Sequence, residues 1–385
     1  MSPSLRAGVN AVFLEPGMGG LETALLELVP ALLKIDDSLQ LSLVCNRRSR
    51  PLLEAQAWAD EVELITPRAT VRGVRALYEL GPLGRVASRR FDVLHSPALT
   101  APLVTRAANV VVLADTTWLT VPDLGRGQAA TVRLWRAVVP RVARRADRVI
   151  AISNASAGDV ERHLHVPRDR IDVVPIGHGA SLRAEPTPES QLRRRFGLGG
   201  GPIVFNVAAK KLHKNQLRLI QALPAVRDAV AGAQLVLAGA STPHEAVLRA
   251  EASRLGLADA VVLPGYVSDA DLEGLYAAAS AFAFPSLNEG FGLPLLEAMA
   301  REVPVVTSAV SSLPEVAGHA ALLVDPTSVD EIAQAITRVL TDEGLRARLV
   351  SAGRERPHAF TWERCARGTL ASWQRALADR RKRNG

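Results

Sequence analysis

Residues 284–300 read Phe284-Pro-Ser-Leu-Asn-Glu289-Gly-Phe-Gly-Leu-Pro-Leu-Leu-Glu297-Ala-Met-Ala300. The apolar run Ala281–Phe284 is expected to be a strand that stops at Pro285. A glycine-bearing loop follows, and Pro294 stands where a first helical residue belongs. Gly290 and Gly292 let backbone N–H groups come close to a ligand, and the start of the helix adds positive partial charge. An anion such as a diphosphate is favoured there. Glu297 falls about one turn inside the helix, where a carboxylate can accept hydrogen bonds from two vicinal hydroxyls, as on a ribose. Glu289, in the loop, suits the hydroxyls of a second ring. Either glutamate alone fits a cap or a solvated position equally well. The nine-residue pattern Glu289–Glu297 as a whole points to a ligand.

Outward from this stretch the chain alternates apolar strands with helices, which predicts parallel sheets covered on both faces. Strands are expected at Val9–Leu14, Leu41–Cys45, Val62–Ile65, Val93–His95, Val110–Ala114, Val149–Ser153 and Ile171–Val174. A second series runs Ile203–Val207, Gln234–Ala238, Ala260–Pro264, Ala281–Phe284, Val303–Thr307 and Ala321–Val324. Between the series, Pro186, Pro188 and Gly199–Gly201 frame an arginine-rich segment that reads as a linker. The 385 residues exceed one hydrophobic core, so two domains of about 180 residues are expected. Their expected bounds are 1–180, a linker 181–201, 202–360, and a terminal helix 361–385. A ligand between two such halves is the natural arrangement.

A second signal is Lys210-Lys211-Leu-His213-Lys214-Asn215, directly after the strand Ile203–Val207. Ligands of doubly wound sheets lie beyond the carboxyl ends of strands, and lysine is a mobile charge suited to phosphate. Five of the 46 basic residues are lysine, and three of the five fall within 210–214. That concentration favours a binding role over a solvated loop. A third, weaker signal is Gly17-Met-Gly19-Gly20 with Glu22, a tight loop opening a helix. It suits an anion or a simple turn equally. It is not a dinucleotide fingerprint, because Glu22 stands where that pattern needs glycine.

Other features exclude. Cys45 and Cys365 are too far apart for a metal or disulfide framework, so a reducing cytoplasm is expected. No secretory signal is visible, and no apolar run approaches the ~20 residues that span a bilayer. Asp269-Ala-Asp271 precedes a helical pattern, so Asp269 is expected to be an N-cap rather than a metal ligand. His95 is expected to be buried and hydrogen-bonded. The net charge of +7 favours anionic partners, but no nucleic-acid motif is present and aromatics make up only 4%.

Taken together, several segments resemble family 4 of the retaining glycosyltransferases. They are Leu263-Pro-Gly265-Tyr-Val267, Asp271-Leu-x-x-Leu-Tyr276, the 284–300 block, Val303-Pro-Val-Val-Thr-Ser308, Leu313-Pro-Glu315, Phe91-Asp-Val-Leu-His95, Ala146–Ser153 and Val173–Gly177. The resemblance implies the GT-B fold: two Rossmann-like α/β domains facing across a cleft, with a C-terminal helix crossing back to the N-terminal domain. It implies transfer of a hexose-type sugar from a nucleotide-sugar donor, with retention and without a metal or other cofactor. Glu297 would bind the donor ribose. Glu289 and the amides of Gly290, Phe291, Gly292 and Leu293 would hold sugar and diphosphate. Lys214 would neutralise the diphosphate, aided by Lys210 or Lys211, with the base near Gly265 and Val267. The Gly19-Gly20 loop is counted with the donor site. The family often carries a histidine where this chain has Ala114-Asp115. Either Asp115 or Thr116 holds the sugar, or catalysis is impaired and the protein only binds nucleotide-sugars.

Two further expectations concern partners. Trp362, Ala366, Leu370, Trp373 and Leu377 share one helical face that must be buried. Between residues 64 and 148, fourteen arginines stand against five acids. Thr131–Arg148 is expected to be a helix kinked at Pro140, with Arg133, Arg136, Arg141, Arg144 and Arg148 on one side. Segment 126–148 is therefore a candidate for peripheral contact with an anionic inner membrane face and a lipid-linked acceptor. The bland alternative is a solvated face. The acceptor classes consistent with the sequence are a glycan, a lipid-linked sugar or a small molecule.

Overall fold

The computed structural model describes residues 4–67, 75–120, 129–179 and 184–384. The elements, in chain order, begin with β1 (Arg6–Ala11), α1 (Gly20–Ile35), β2 (Gln40–Cys45), α2 (Arg50–Glu54), β3 (Glu63–Ile65), α3 (Arg75–Leu80) and α4 (Pro82–Arg90). They continue with β4 (Val93–Ser96), β5 (Ala108–Leu113), α5 (Thr117–Thr120), α6 (Ala129–Arg145), β6 (Arg148–Ala151), α7 (Asn154–Leu164) and β7 (Ile171–Val173). Then come α8 (Glu189–Phe196), β8 (Ile203–Val207), α9 (Gln216–Ala229), β9 (Gln234–Ala238), α10 (Glu245–Arg254), β10 (Val261–Gly265), α11 (Asp269–Ala278) and β11 (Ala279–Phe284). The last are α12 (Leu293–Ala300), β12 (Val305–Ser308), α13 (Leu313–Ala317), β13 (Ala321–Val324), α14 (Val329–Thr341), α15 (Glu343–Glu355) and α16 (Trp362–Asn384).

The chain divides into two compact units. One is Met1–Gly179 with Phe360–Gly385, and the other is Ala180–Ala359. The first holds a seven-stranded sheet in the order β3-β2-β1-β4-β5-β6-β7, parallel throughout. The second holds a six-stranded sheet in the order β10-β9-β8-β11-β12-β13, also parallel. Both orders are Rossmann-like, reversing direction between β1 and β4 and between β8 and β11. Near-continuous apolar strands buried on both faces drive this arrangement. Val9, Leu41, Leu43, Val93 and Val110 form one core with Leu25, Val29 and Leu32 of α1. The matching core of the second unit joins Val204, Leu235 and Ala283 to Leu219, Leu223, Ile332 and Ile336.

Helix α16 belongs to the first unit. Ala366, Trp373 and Ala376 are buried in its core, with Trp362, Leu370 and Leu377 packed against the same cluster. Polar contacts fix the helix as well. Trp373 Nε1 donates to His95 Nδ1 at 3.3 Å, and burial pulls the His95 imidazole down to about 4. Asp172 accepts from Arg148, from Ser372 at 2.7 Å and from Arg375 at 3.0 Å. Arg380 and Arg383 both reach Asp147.

Three sequence expectations change. The stretch 181–201 is not a bare linker, although its residues 181–183 lie outside the described ones. It carries α8, inside the second unit. Pro188 and Gly197 flank that helix, Gly197 with φ 67° at its C-terminal end, so the prolines and glycines punctuate a helix. Leu192 is buried, and Arg195 pairs with Asp271 of α11 at 2.5 Å. The cap of α11 is Ser268, whose hydroxyl accepts from Asp271 N, so Asp269 is the first helical residue. Helix α6 ends at Arg145. Arg148 lies on β6, 8% exposed, bound to Asp172, and is not part of the arginine face.

Candidate functional site

In the second sheet the strand order reverses between β8 and β11, which is where a doubly wound sheet opens a crevice for ligands. The loop after β8 folds into a 3-10 turn, Leu212–Lys214, and then Asn215 takes a left-handed conformation with φ 58°. Asn is among the few residues that tolerate this. The Asn215 side chain donates to the carbonyls of Pro285 at 2.8 Å and Pro326 at 2.7 Å. Leu287 N donates to the His213 carbonyl at 2.8 Å. The loop is thereby stitched to the end of β11, and Lys214 meets Glu289. Lys214 Nζ lies 2.7 and 2.9 Å from the two carboxylate oxygens. It also sits 5.4 Å from the Phe284 ring centroid. The side chains retain 19% and 12% exposure, so the pair is sheltered yet reachable.

The glycine loop is held from one side by two serines. Glu289 N donates to Ser311 Oγ at 3.1 Å. The Ser312 hydroxyl lies 3.0 Å from the Glu289 carbonyl and 2.7 Å from that of Phe291. Gly292 has φ 114° and precedes α12 directly. A Cβ there would come within 2.8 Å of Leu313 Cδ2, so glycine is required by both conformation and space. Gly290 and Leu293 are half-buried, while Phe291 and Gly292 are buried.

Glu297 projects from α12 and is half-buried. Burial raises its carboxyl above the ordinary range, with the Tyr276 hydrogen bond and the Arg301 charge opposing. Tyr276 Oη donates to Glu297 Oε2 at 2.9 Å. Lys210 behaves differently from Lys214. It is fully buried, with Nζ on the Gly239 carbonyl at 3.0 Å and the Ala208 carbonyl at 3.5 Å. Burial pulls its ammonium down to about 8, with Glu245 opposing and Arg249 adding to the fall. Lys211 is exposed, which makes it the accessible member of the two. Gly265 ends β10 with φ 76° and its carbonyl accepts from Gly239 N at 2.8 Å. Val267 is half-buried, and Tyr266 between them is 82% exposed.

In the first unit, Gly17 N and Met18 N donate to Glu22 Oε2 at 2.7 and 2.9 Å. The helix's own carboxylate therefore closes that side of the loop, while Gly19 and Gly20 are exposed with open space beside them. Asp115 Oδ1 accepts from Thr117 N at 2.9 Å, an Asx turn at the start of α5. Thr116 is buried and donates to Asp159 at 3.1 Å. Among the described residues, no three His, Cys, Asp or Glu side chains converge as metal ligands.

Sequence reasoning singled out the two loops that meet here; it quoted Asn215 and Tyr276 within its motifs without a role for either, and it did not name Ser311 or Ser312. The left-handed conformation of Asn215 depends on the 3-10 turn before it, which the sequence does not announce. The serines carry no local signal, because their role depends on a loop more than twenty residues away.

The family model described as Glycosyltransferase Family 4 matches residues 18–178, and that described as Glycosyl transferases group 1 matches residues 189–356. The chain is a family 4 glycosyltransferase. Its relatives include the O-antigen chain mannosyltransferase B of Escherichia coli, 33% identical over 59% of this chain and 60% of that protein. The MMP alpha-(1->4)-mannosyltransferase of Mycolicibacterium hassiacum is 32% identical over 64% and 59% of the two chains. A GDP-mannose-dependent alpha-(1-6)-phosphatidylinositol monomannoside mannosyltransferase of Mycobacterium tuberculosis is 34% identical over 49% and 51%. The matches thus span about half to three-fifths of these relatives. Among solved structures, sucrose-phosphate synthase from Thermosynechococcus elongatus superposes with a TM-score of 0.74 at 20% identity, covering 97% of this chain and 99% of that one. Anabaena Alr3699/HepE in complex with UDP and glucose gives 0.73 at 22% identity, covering 96% and 99%. These likenesses establish the GT-B fold for this family 4 chain.

Proposed function

We propose that the protein transfers a hexose, mannose first among those to test, from a nucleotide-diphosphate sugar to a glycan, lipid-linked or small-molecule acceptor. The observation that carries this is the Lys214–Glu289 pair at the switch point of the second sheet. Each member is the other's charge partner, and a donor offers both something better. A diphosphate would draw the ammonium away, and the freed carboxylate would accept hydroxyls of the sugar. Glu297 would take the ribose, Lys211 would add charge at the phosphates, and the base would lie along Gly265–Val267. The choice of mannose is supported by the three mannosyltransferases among the relatives, one of which is GDP-mannose-dependent.

In this reading the sugar's bond to the diphosphate oxygen breaks as the acceptor oxygen bonds the same carbon on the same face, retaining configuration. The departing phosphate takes the acceptor proton, and Lys214 stabilises the developing charge. An ammonium in that position supports transfer without a divalent metal. A second reading, nucleotide-sugar binding without turnover, is favoured by Asp115, whose carboxylate is already engaged by the Thr117 amide. Incubation with GDP-mannose and UDP-glucose in EDTA, with released nucleotide measured, separates the two. Turnover in EDTA supports metal-free transfer, turnover only with Mn²⁺ or Mg²⁺ removes that part, and bound donor without turnover supports the second reading.

The exposed Arg133, Arg136, Arg141, Arg144 and Arg145 of α6 support a peripheral approach to an anionic membrane; residues 126–128 lie outside the described ones. No helix among the described residues is long and apolar enough to cross a membrane. Equal flotation with anionic and neutral vesicles would remove the membrane from this reading.

A further inference from the structure

Glu297 presents two carboxylate oxygens, and something must aim them. Among the described residues, the hydrogen-bond donor on that carboxylate is the Tyr276 hydroxyl, at 2.9 Å from Oε2. Tyr276 is fully buried. Phe205 stands edge-on to its ring at 5.1 Å and 87°, and Phe282 packs at 5.8 Å. The Arg301 guanidinium lies 4.9 Å from the ring centroid. Arg301 is itself fixed, because Glu273 accepts from it at 2.5 and 2.6 Å and the Glu297 carbonyl accepts at 2.9 Å. Its charge is thus engaged by Glu273 and by the Glu297 backbone. The phenol is clamped by these neighbours, so its hydroxyl occupies one point in space.

We propose that Tyr276 is a positioning residue: by engaging Oε2 it turns the rest of the Glu297 carboxylate toward a ribose diol and sets a preference for ribonucleotide over 2′-deoxyribonucleotide donors. The inference rests on Glu297 being the ribose ligand. An ionised carboxylate has about four acceptor sites, so one phenol leaves enough for two hydroxyls. The groups facing the carboxylate are Tyr276 and Glu273 on α11 and Arg301, which follows the last residue of α12. Of these the phenol supplies direction, and it also favours the ionised form, which is the better acceptor.

The test is titration of GDP, UDP and their 2′-deoxy counterparts into the wild type, Y276F and E297Q, with thermal unfolding of each. Phenylalanine keeps the ring and its packing, so Y276F remains folded. Loss of the bond that aims the carboxylate is expected to weaken ribonucleotide binding by Y276F about tenfold. The 2′-deoxy compound should be affected much less, and in turnover the donor KM should rise with kcat nearly unchanged. If E297Q loses the ribo preference and Y276F keeps it, Tyr276 has no positioning role. If both keep it, Glu297 is not the ribose ligand, and the inference falls with that assignment.

Discussion

Two ion pairs, one in each unit, resemble each other in distance and burial and behave differently. Arg148 and Asp172 in the first unit are 10% and 7% exposed. Asp172 also binds Ser372 and Arg375, and Arg148 also reaches Asp379 at 3.3 Å. Lys214 and Glu289 in the second unit hold each other, with 19% and 12% exposure. The first pair is over-determined: several groups share each charge, and no ligand could compete for all. The second has, among the described residues, a single exchangeable charge partner on each side. A buried pair with many partners is structure, and a sheltered pair with one is poised for substrate.

That contrast can be broken most severely at α16. Deleting residues from Thr361 onward removes Trp373, Ser372 and Arg375 together. A large buried aromatic alone is worth about 3–5 kcal/mol, comparable to a sizeable part of a domain's stability. No folded first unit is expected by circular dichroism or proteolysis, and a folded, active truncation would show that α16 is dispensable.

Asp172→Ala is the finer cut, expected to cost about 3–5 kcal/mol because Arg148 stays buried after losing its nearer carboxylate. Burial pushes the Asp172 carboxyl up, but hydrogen bonds from Arg148 and Ser372 and the charges of Arg148 and Arg375 outweigh it, so the folded value lies below the ordinary 3.8. Its contribution is therefore complete at neutral pH and is lost as pH falls below about 4 through the lowered value. The stability gap between wild type and variant should narrow over that range in urea titrations. A gap that stays constant into strong acid would mean the pair is not linked to folding.

Lys214→Ala sharpens the other side. Removing a preorganised charge beside a leaving group costs on the order of 10²–10³ in kcat. Thermal unfolding should move far less than in Asp172→Ala. Near-normal turnover would dismiss Lys214 as the diphosphate partner, and a comparable loss of stability would erase the distinction between the two pairs.

Much of this was legible in the sequence, for physical reasons. Strands such as Gln234–Ala238 announce themselves as short apolar runs, and the α16 stripe as a helical period. The glycine at 292 and the lysines at 211 and 214 stand out because composition makes them rare or conformation makes them necessary. What was not legible depends on distant chain. Pro188 and Gly197 look like a linker until Leu192 and Asp271 show that a helix lies between them. Arg148 looks like one more helical arginine until a strand and Asp172 claim it. Nothing local announces that Lys210 is buried on the carbonyls of Ala208 and Gly239.

The first unit is assembled from residues on both sides of the second. A ribosome adding about 5–20 residues per second exposes all seven strands of the first sheet, then spends roughly 10–40 seconds making the second unit before α16 emerges. Throughout that interval the groove that will take Trp373 lies bare. The second unit, continuous in sequence, can finish first. The protein can therefore mature in the reverse of its sequence order, with the β4–β5–β6 face that α16 finally covers exposed for the longest time.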